Sequence, residues 1–333
     1  MNKIKLAISY ILIFIISISF ISCTKKQQTS ESKKDNEPKL VPPIFSEIEQ
    51  DIISIMNMID LIPYYEKQIE VKNKKKEERK QIEIIIGQKL TEEMDKNNEQ
   101  NNNQQNQKNS KDDNKTIEKL IEFKPSTITM KDVLLKSILE NEIITKEKNK
   151  EIEIPDNIEE KWNEINKKIL NLHEKWNDFE PIIIKSNTPE ESINSFETTL
   201  NKLTINASEY KYMESLLLAN KLTSFLPDLI VNFKKKVPVS IYRIKYHIRQ
   251  IVLDSSNDNF SSAFENLKKI KMYRNNLLQQ ILEKKMTQQI NKLNTSISDL
   301  EDAVKIKDMT VIKIKTRVVM KNILDIQDKF LKD

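Results

Sequence analysis

One glycine, Gly87, occurs in 333 residues, against a usual share near 7%. This excludes the glycine-rich phosphate loops of the Walker and Rossmann types, whose backbone must approach a phosphate closely. With glycine scarce and Lys, Glu, Ile, Leu and Asn abundant, long helices are expected. The fold class read from the chain is all-α: an extended helical bundle or an array of helical hairpins.

The apolar spacing places the helices. Phe45, Ile48, Ile52, Ile55 and Ile59 recur at intervals of 3, 4, 3 and 4, one stripe of a helix over about 45–62. Pro63 ends it. A second helix is predicted from Tyr64 to about Met94, its lysine-rich middle a solvated face. Together they make up an N-terminal helical part, 44–96. Residues 97–115 are almost all Asn, Gln, Lys, Asp and Glu, without an apolar side chain, and read as a disordered insertion. The main helical domain, 116–333, opens with 116–123 and a helix predicted over 130–149. Asp156 followed by Glu159 is an N-terminal cap signature. Behind it Trp162, Ile165, Ile169, Leu172, Trp176 and Phe179 repeat at 3, 4, 3, 4 and 3, a seam that buries both tryptophans against partner helices. The alternative use of two tryptophans on one stripe is a ligand box. Thr188, Pro189 and Glu191 form a second capping pattern.

From residue 196 onward the pattern repeats. Polar turns at 206–209, 255–258 and 305–308 lead to Tyr212, Phe260 and Met309, which are 48 and 49 residues apart. Each turn follows an apolar helical run. Hairpin units near 196–230, 239–280 and 290–330 are therefore expected, though ordinary bundle topology would give the same spacing.

The first residues set the compartment. Lys3 and Lys5 precede an apolar run, Leu6 to Ile21, then Ser22-Cys23 and an abrupt polar turn. The run is 16 residues, about 24 Å as a helix, short of the roughly 30 Å hydrocarbon core. The stretch resembles a bacterial lipoprotein signal peptide, 1–22. That resemblance implies acylation of Cys23, a flexible tether over 23–43, and anchoring in the bilayer at the extracytoplasmic face of the cell membrane. Removal of 1–22 takes away two lysines and leaves 53 basic against 50 acidic residues. That balance does not point to a nucleic-acid partner. Cys23 is the only cysteine, which excludes disulfides and cysteine-based metal sites.

A second resemblance covers about Trp162 to the end. Phe196-Glu-Thr-Thr-Leu-Asn-Lys-Leu203, Ser215-Leu-Leu-Leu-Ala-Asn220, Pro227-Asp228-Leu229, Tyr242-Arg-Ile-Lys-Tyr246, Ala303-Val-Lys-Ile-Lys-Asp308 and Met320-Lys-Asn-Ile323 resemble predicted helical lipoproteins of clostridia and related low-GC Gram-positive bacteria. Spirochaetal helical surface lipoproteins are similar in composition. That resemblance implies an envelope location and carries no functional residue.

Little in the chain points to catalysis. His173 and His247 are isolated, and the adjacent pair His173/Glu174 is splayed by about 100° on a helix. No nucleophile elbow occurs. The protein is read as a non-enzyme with no cofactor and no metal site. One local feature stands apart: 229–253 holds no acid, while Lys234, Lys235, Lys236, Arg243, Lys245 and Arg249 lie within it. On a helix starting near Val239, Ile241, Ile244, Ile248, Ile251 and Val252 share an apolar arc, and the cations fall elsewhere. They are candidates for an anion-binding strip facing acidic lipid or an anionic envelope polymer. The competing reading is a face neutralised by acids from neighbouring helices. The expected function is non-catalytic binding or scaffolding at the cell envelope, with a possible protein partner. Alternatives are a lipoprotein that captures a solute or metal, and a surface adhesin binding a host or neighbouring protein.

Overall fold

The computed structural model describes residues 38–97, 123–143 and 153–332. Cys23, the leader and most of the expected tether lie outside them, as does the Asn/Gln-rich stretch from residue 98 onward. The described residues form ten helices and no strand: α1 (Pro43–Asp60), α2 (Ile62–Asn97), α3 (Lys136–Glu142), α4 (Ile158–Lys185), α5 (Glu190–Ser208), α6 (Tyr212–Leu229), α7 (Val239–Ser256), α8 (Phe260–Glu283), α9 (Thr287–Ile306) and α10 (Met309–Lys332). None of these helices is long and apolar enough to cross a membrane.

The centre of the fold is α1. Its predicted stripe is fully buried, and so are Ile53 and Met56 on a second side. The second stripe is needed because α1 lies among α4, α6 and α3. Lys168 and Lys175 of α4 neutralise Asp51 on it, at 2.7 and 2.8 Å. Pro63 falls in the first turn of α2, where a missing amide costs nothing. The chain breaks helix at Leu61 and resumes at once. The first turns of α2 are packed through Ile62, Tyr64 and Gln68, whereas Ile84 and Ile85 farther out are exposed.

Three helical hairpins follow: α5/α6, α7/α8 and α9/α10, with α7 also packed on α6 and α10. The breaks begin two or three residues later than the predicted turns, at 209–211, 257–259 and 307–308, and Tyr212, Phe260 and Met309 are the first residues of the second helices. With glycine absent, other residues adopt the left-handed conformation that closes a helix: Asn187, Tyr210, Asp258, Lys285 and Lys307 all have φ between 56° and 62°. Four of these closures carry the long bond of a Schellman motif. In them the amides of Thr188, Lys211, Asn259 and Met286 donate to the carbonyls of Ile183, Asn206, Asp254 and Ile281. Gly87, by contrast, sits inside exposed α2, where a side-chain methyl would meet nothing within 4 Å.

The tryptophan seam is core. Trp162 and Trp176 are 1% and 4% exposed. Trp176 stacks on Phe196 at 4.3 Å and Trp162 on Tyr210 at 5.7 Å, which supports packing over a ligand box. Three local expectations are corrected. Asn157, not Asp156, caps α4, its Oδ1 accepting from the Glu160 amide; Asp156 pairs with Lys72. Thr188 does not cap α5: Pro189 holds the cap position and no side chain accepts a first-turn amide, while the Thr188 hydroxyl donates to the Leu229 carbonyl at the end of α6. The helix expected over 130–149 is only α3, and 144–152 lies outside the described residues. Lys313 of α10 takes the Met130 and Val133 carbonyls at 2.8 and 2.7 Å. Asp60 takes the Leu134, Leu135 and Lys136 amides at 2.7–2.8 Å. With those groups captured by tertiary partners, the helix starts only at Lys136.

Candidate functional site

The acid-free stretch was the strongest chemical signal in the sequence, and the structure splits it. Helix α7 begins at Val239, and its arc of Ile241, Ile244, Ile248, Ile251 and Val252 is fully buried. That arc is wider than a surface helix needs, since α6, α8 and α10 all pack on α7. Two of the cations are therefore carried into the interior. Arg249 is 1% exposed and Lys245 is 4% exposed. A buried guanidinium is tolerated when it is paired with a carboxylate and hydrogen-bonded, and four of the five N–H donors of Arg249 are matched. Here Nη1 donates to both carboxylate oxygens of Glu142 at 2.7 Å, Nε to Asn220 Oδ1 at 2.9 Å and Nη2 to the Thr223 hydroxyl at 2.8 Å. Lys245 donates to Glu49 at 2.6 Å and lies 3.7 Å from Glu142. Two acids thus face two bases, and the cluster ties α3, α1, α6 and α7 together.

Arg243 points another way. It pairs with Asp228 of α6 and lies over the Tyr273 ring of α8 at 5.6 Å. Lys235 is half-buried in the α6–α7 loop. Its ammonium closes the end of α6 by donating to the Ile230, Val231 and Phe233 carbonyls at 2.7–3.2 Å, a favourable place for a cation. Burial pushes its pKa down. Lys234 and Lys236 are exposed, and neither has a carboxylate partner among the described residues. The six cations therefore do not form a strip: Arg243, Lys245 and Arg249 are neutralised by Asp228, Glu49 and Glu142.

What the structure does assemble from them is a cleft of about 390 Å³ beside the start of α1. Lys234, Lys235, Lys236 and Lys245 all line it. Its walls include Phe45 of α1, Ile230 and Val237 of the α6–α7 loop, Tyr242 of α7 and Leu324 of α10. Phe45 meets Tyr242 edge-on at 5.6 Å, and burial, then the Glu49 carboxylate, raises the pKa of Tyr242. The incoming chain forms one side. Leu40 bridges Lys234 in parallel register, and the Val41 amide donates to the Lys234 carbonyl at 3.4 Å. Leu40 and Val41, inside the stretch expected as a tether, are thus paired with the α6–α7 loop.

Both histidines are engaged structurally. His247 Nδ1 donates to Asn266 Oδ1 at 2.6 Å, and the Asn266 amide donates to Asp254 at 2.7 Å. His247 also stacks on Tyr273. His173 Nε2 donates to the Thr204 hydroxyl at 2.8 Å, since that hydroxyl already donates to the Leu200 carbonyl. Burial lowers the pKa of both histidines. Lys67 and Thr129 hold Asp132 down to about 2. No group of three His, Cys, Asp or Glu side chains able to hold a metal ion occurs among the described residues.

The residues that sequence reasoning missed are Glu49, Glu142, Asn220 and Thr223, which consume the buried cations, and Phe45, Tyr242 and Leu324, which wall the cleft. One signal was available: Ile53 and Met56 form a second apolar side on α1, so a charge at Glu49 lies on a helix buried from several directions. No family model matches the chain, and neither a curated protein nor a solved structure matches it.

Proposed function

We propose that the protein is a lipid-anchored, non-catalytic binding or scaffolding protein at the extracytoplasmic face of the cell membrane. The leader ending at Cys23 and the resemblance to clostridial helical lipoproteins support the anchoring. The cleft supports the binding. It lies beside the start of α1, and its apolar walls and exposed lysines offer a surface that a partner could occupy. The interior charges favour a scaffold over a reactive site. Arg249, Lys245 and Glu142, and likewise Asp60 and Lys313, are each consumed in fastening one segment to another.

The anchoring is tested by Cys23→Ala in cells fed labelled palmitate. The variant should lose the label, keep its leader and leave the lipid-labelled membrane fraction. Unchanged labelling and processing would sink the lipoprotein reading.

A further inference from the structure

The cleft beside α1 has two kinds of lining. Phe45, Ile230, Val237, Tyr242 and Leu324 give it apolar walls. On its floor, Glu49, Glu142 and Lys245 are already paired with one another and with Arg249. The floor therefore presents no unbalanced charge to a ligand. The mouth differs. Leu40 and Leu331 line it at 64% and 47% exposure, alongside the exposed ammonium groups of Lys234 and Lys236. One exposed acid, Asp328, also lines the cleft, leaving the mouth cationic. A volume of about 390 Å³ is at the small end of ligand sites, roughly 300–1,000 Å³, room for one slender chain and not for two.

From this geometry we infer that the cleft binds a single-chain anionic amphiphile, one acyl chain with a carboxylate or phosphate head. The chain lies against Phe45, Val237, Tyr242 and Leu324, and the head sits between Lys234 and Lys236. The exposed leucines at the mouth continue the apolar path to the surface. This inference rests on the binding reading above and names its ligand class; it does not depend on acylation of Cys23.

The test uses the leaderless chain from residue 24, which contains the whole compact unit Leu40–Asp333. It is titrated calorimetrically with sodium laurate and sodium decanoate, both below their micelle concentrations. One site per chain is expected. Each buried methylene multiplies affinity about fourfold, so decanoate should bind about 15-fold more weakly than laurate. Lys234→Glu/Lys236→Glu should weaken laurate several-fold at low salt, with the difference shrinking at ~0.5 M salt as charges are screened. Leu324→Glu should remove binding by placing a carboxylate in the wall. The paired lysine variant lies in an exposed loop and decides the matter if Leu324→Glu proves unstable. Absence of laurate binding, several equivalent sites, or equal affinity for the two chain lengths would overturn the inference. So would retention on phosphatidylglycerol vesicles without binding of monomeric laurate, because that outcome places lipid contact on the outer surface. A photo-crosslinker at Leu331 that captures only protein in cells would overturn the ligand class and leave the binding function standing.

Discussion

Glu142 is the perturbation with the largest expected effect per atom changed. Its two oxygens accept Arg249 Nη1 at 2.7 Å, and Lys245 lies 3.7 Å away. In Glu142→Gln the shape is kept and the charge is lost. Arg249, 1% exposed, is then left with only neutral partners, Asn220 and Thr223. Breaking a buried pair in this way costs roughly 3–5 kcal/mol, because the surviving charge stays desolvated. That is a large share of a total stability of ~5–15 kcal/mol, and lowers the melting temperature by roughly 10 °C. The assay is urea and thermal unfolding of the leaderless protein by far-UV circular dichroism. Glu142→Leu/Arg249→Leu removes both charges and should recover part of the loss. The recovery is incomplete because Asn220 Oδ1 loses its donor. In the double-mutant cycle the coupling energy should reach at least about 2 kcal/mol. A loss below about 1 kcal/mol for Glu142→Gln, or strictly additive single changes, would refute the claim that this pair holds α3 against α6 and α7.

Trp176→Ala should cost roughly 3–5 kcal/mol in the same unfolding assay. Trp176→Phe should cost less than about 1 kcal/mol, since it keeps the stack on Phe196 and removes a buried indole N–H that has no acceptor; a loss below about 0.5 kcal/mol for the alanine change would show the ring is not core. Lys285, exposed and left-handed at φ 56°, should gain about 0.5 kcal/mol on change to glycine, the strain relieved slightly exceeding glycine's greater freedom in the unfolded chain. Lys285→Ala should gain nothing, and equal effects of the two would refute the strain argument. Both histidines have pKa values lowered by burial, so their contribution is complete above the unfolded value of about 6.5 and is lost as pH falls through the folded values. Asp60 and Asp254, whose pKa values burial raises, act in the opposite sense as they take up protons. Melting temperatures at pH 7 and 5 should therefore fall less in His173→Gln/His247→Asn than in the unaltered chain, and an identical fall in both would contradict the assignment.

The helical hairpins were legible because their signals are local. The stripes from Trp162 to Phe179 and from Phe45 to Ile59 are set by a 3.6-residue period that any partner helix must respect. The polar stretches at 206–209, 255–258 and 305–308 interrupt that period and mark where the helices close, with the breaks themselves at 209–211, 257–259 and 307–308. The single glycine pointed to helices, but it gave no warning that Tyr210, Asp258 and Lys285 would take over the left-handed role. The segment 123–143 was misread for a definite reason. Its helical pattern competes with Asp60 and Lys313, 74 and 180 residues away from the groups they capture at Leu134 and Val133. A strong tertiary acceptor for three amides outweighs an i to i+4 ladder that is worth little in so short a helix.

The same distance argument explains the candidate site. An acid-free run of cations looks like a surface because the neutralising acids are invisible within it. Glu142 is 107 residues from Arg249, and Glu49 is 196 residues from Lys245. Yet the apolar arc of α7 held the needed information. Its members span Ile241, Ile244, Ile248, Ile251 and Val252, and Lys245 and Arg249 each follow one of these isoleucines directly. A cation beside an arc that wide can reach water only if no helix covers that flank. Once three hairpins are stacked with α7 between α6 and α10, both flanks are covered, and burial of Lys245 and Arg249 with matched acids follows. Lys234 and Lys236 escape because they precede α7, in a loop whose backbone pairs with Leu40 and Val41 while these two side chains stay exposed. Between them Lys235 turns inward and closes α6 through the Ile230, Val231 and Phe233 carbonyls, so the alternation of side chains along the 234–236 loop separates the cations that can meet a ligand from the one that holds the fold, and the cleft forms there.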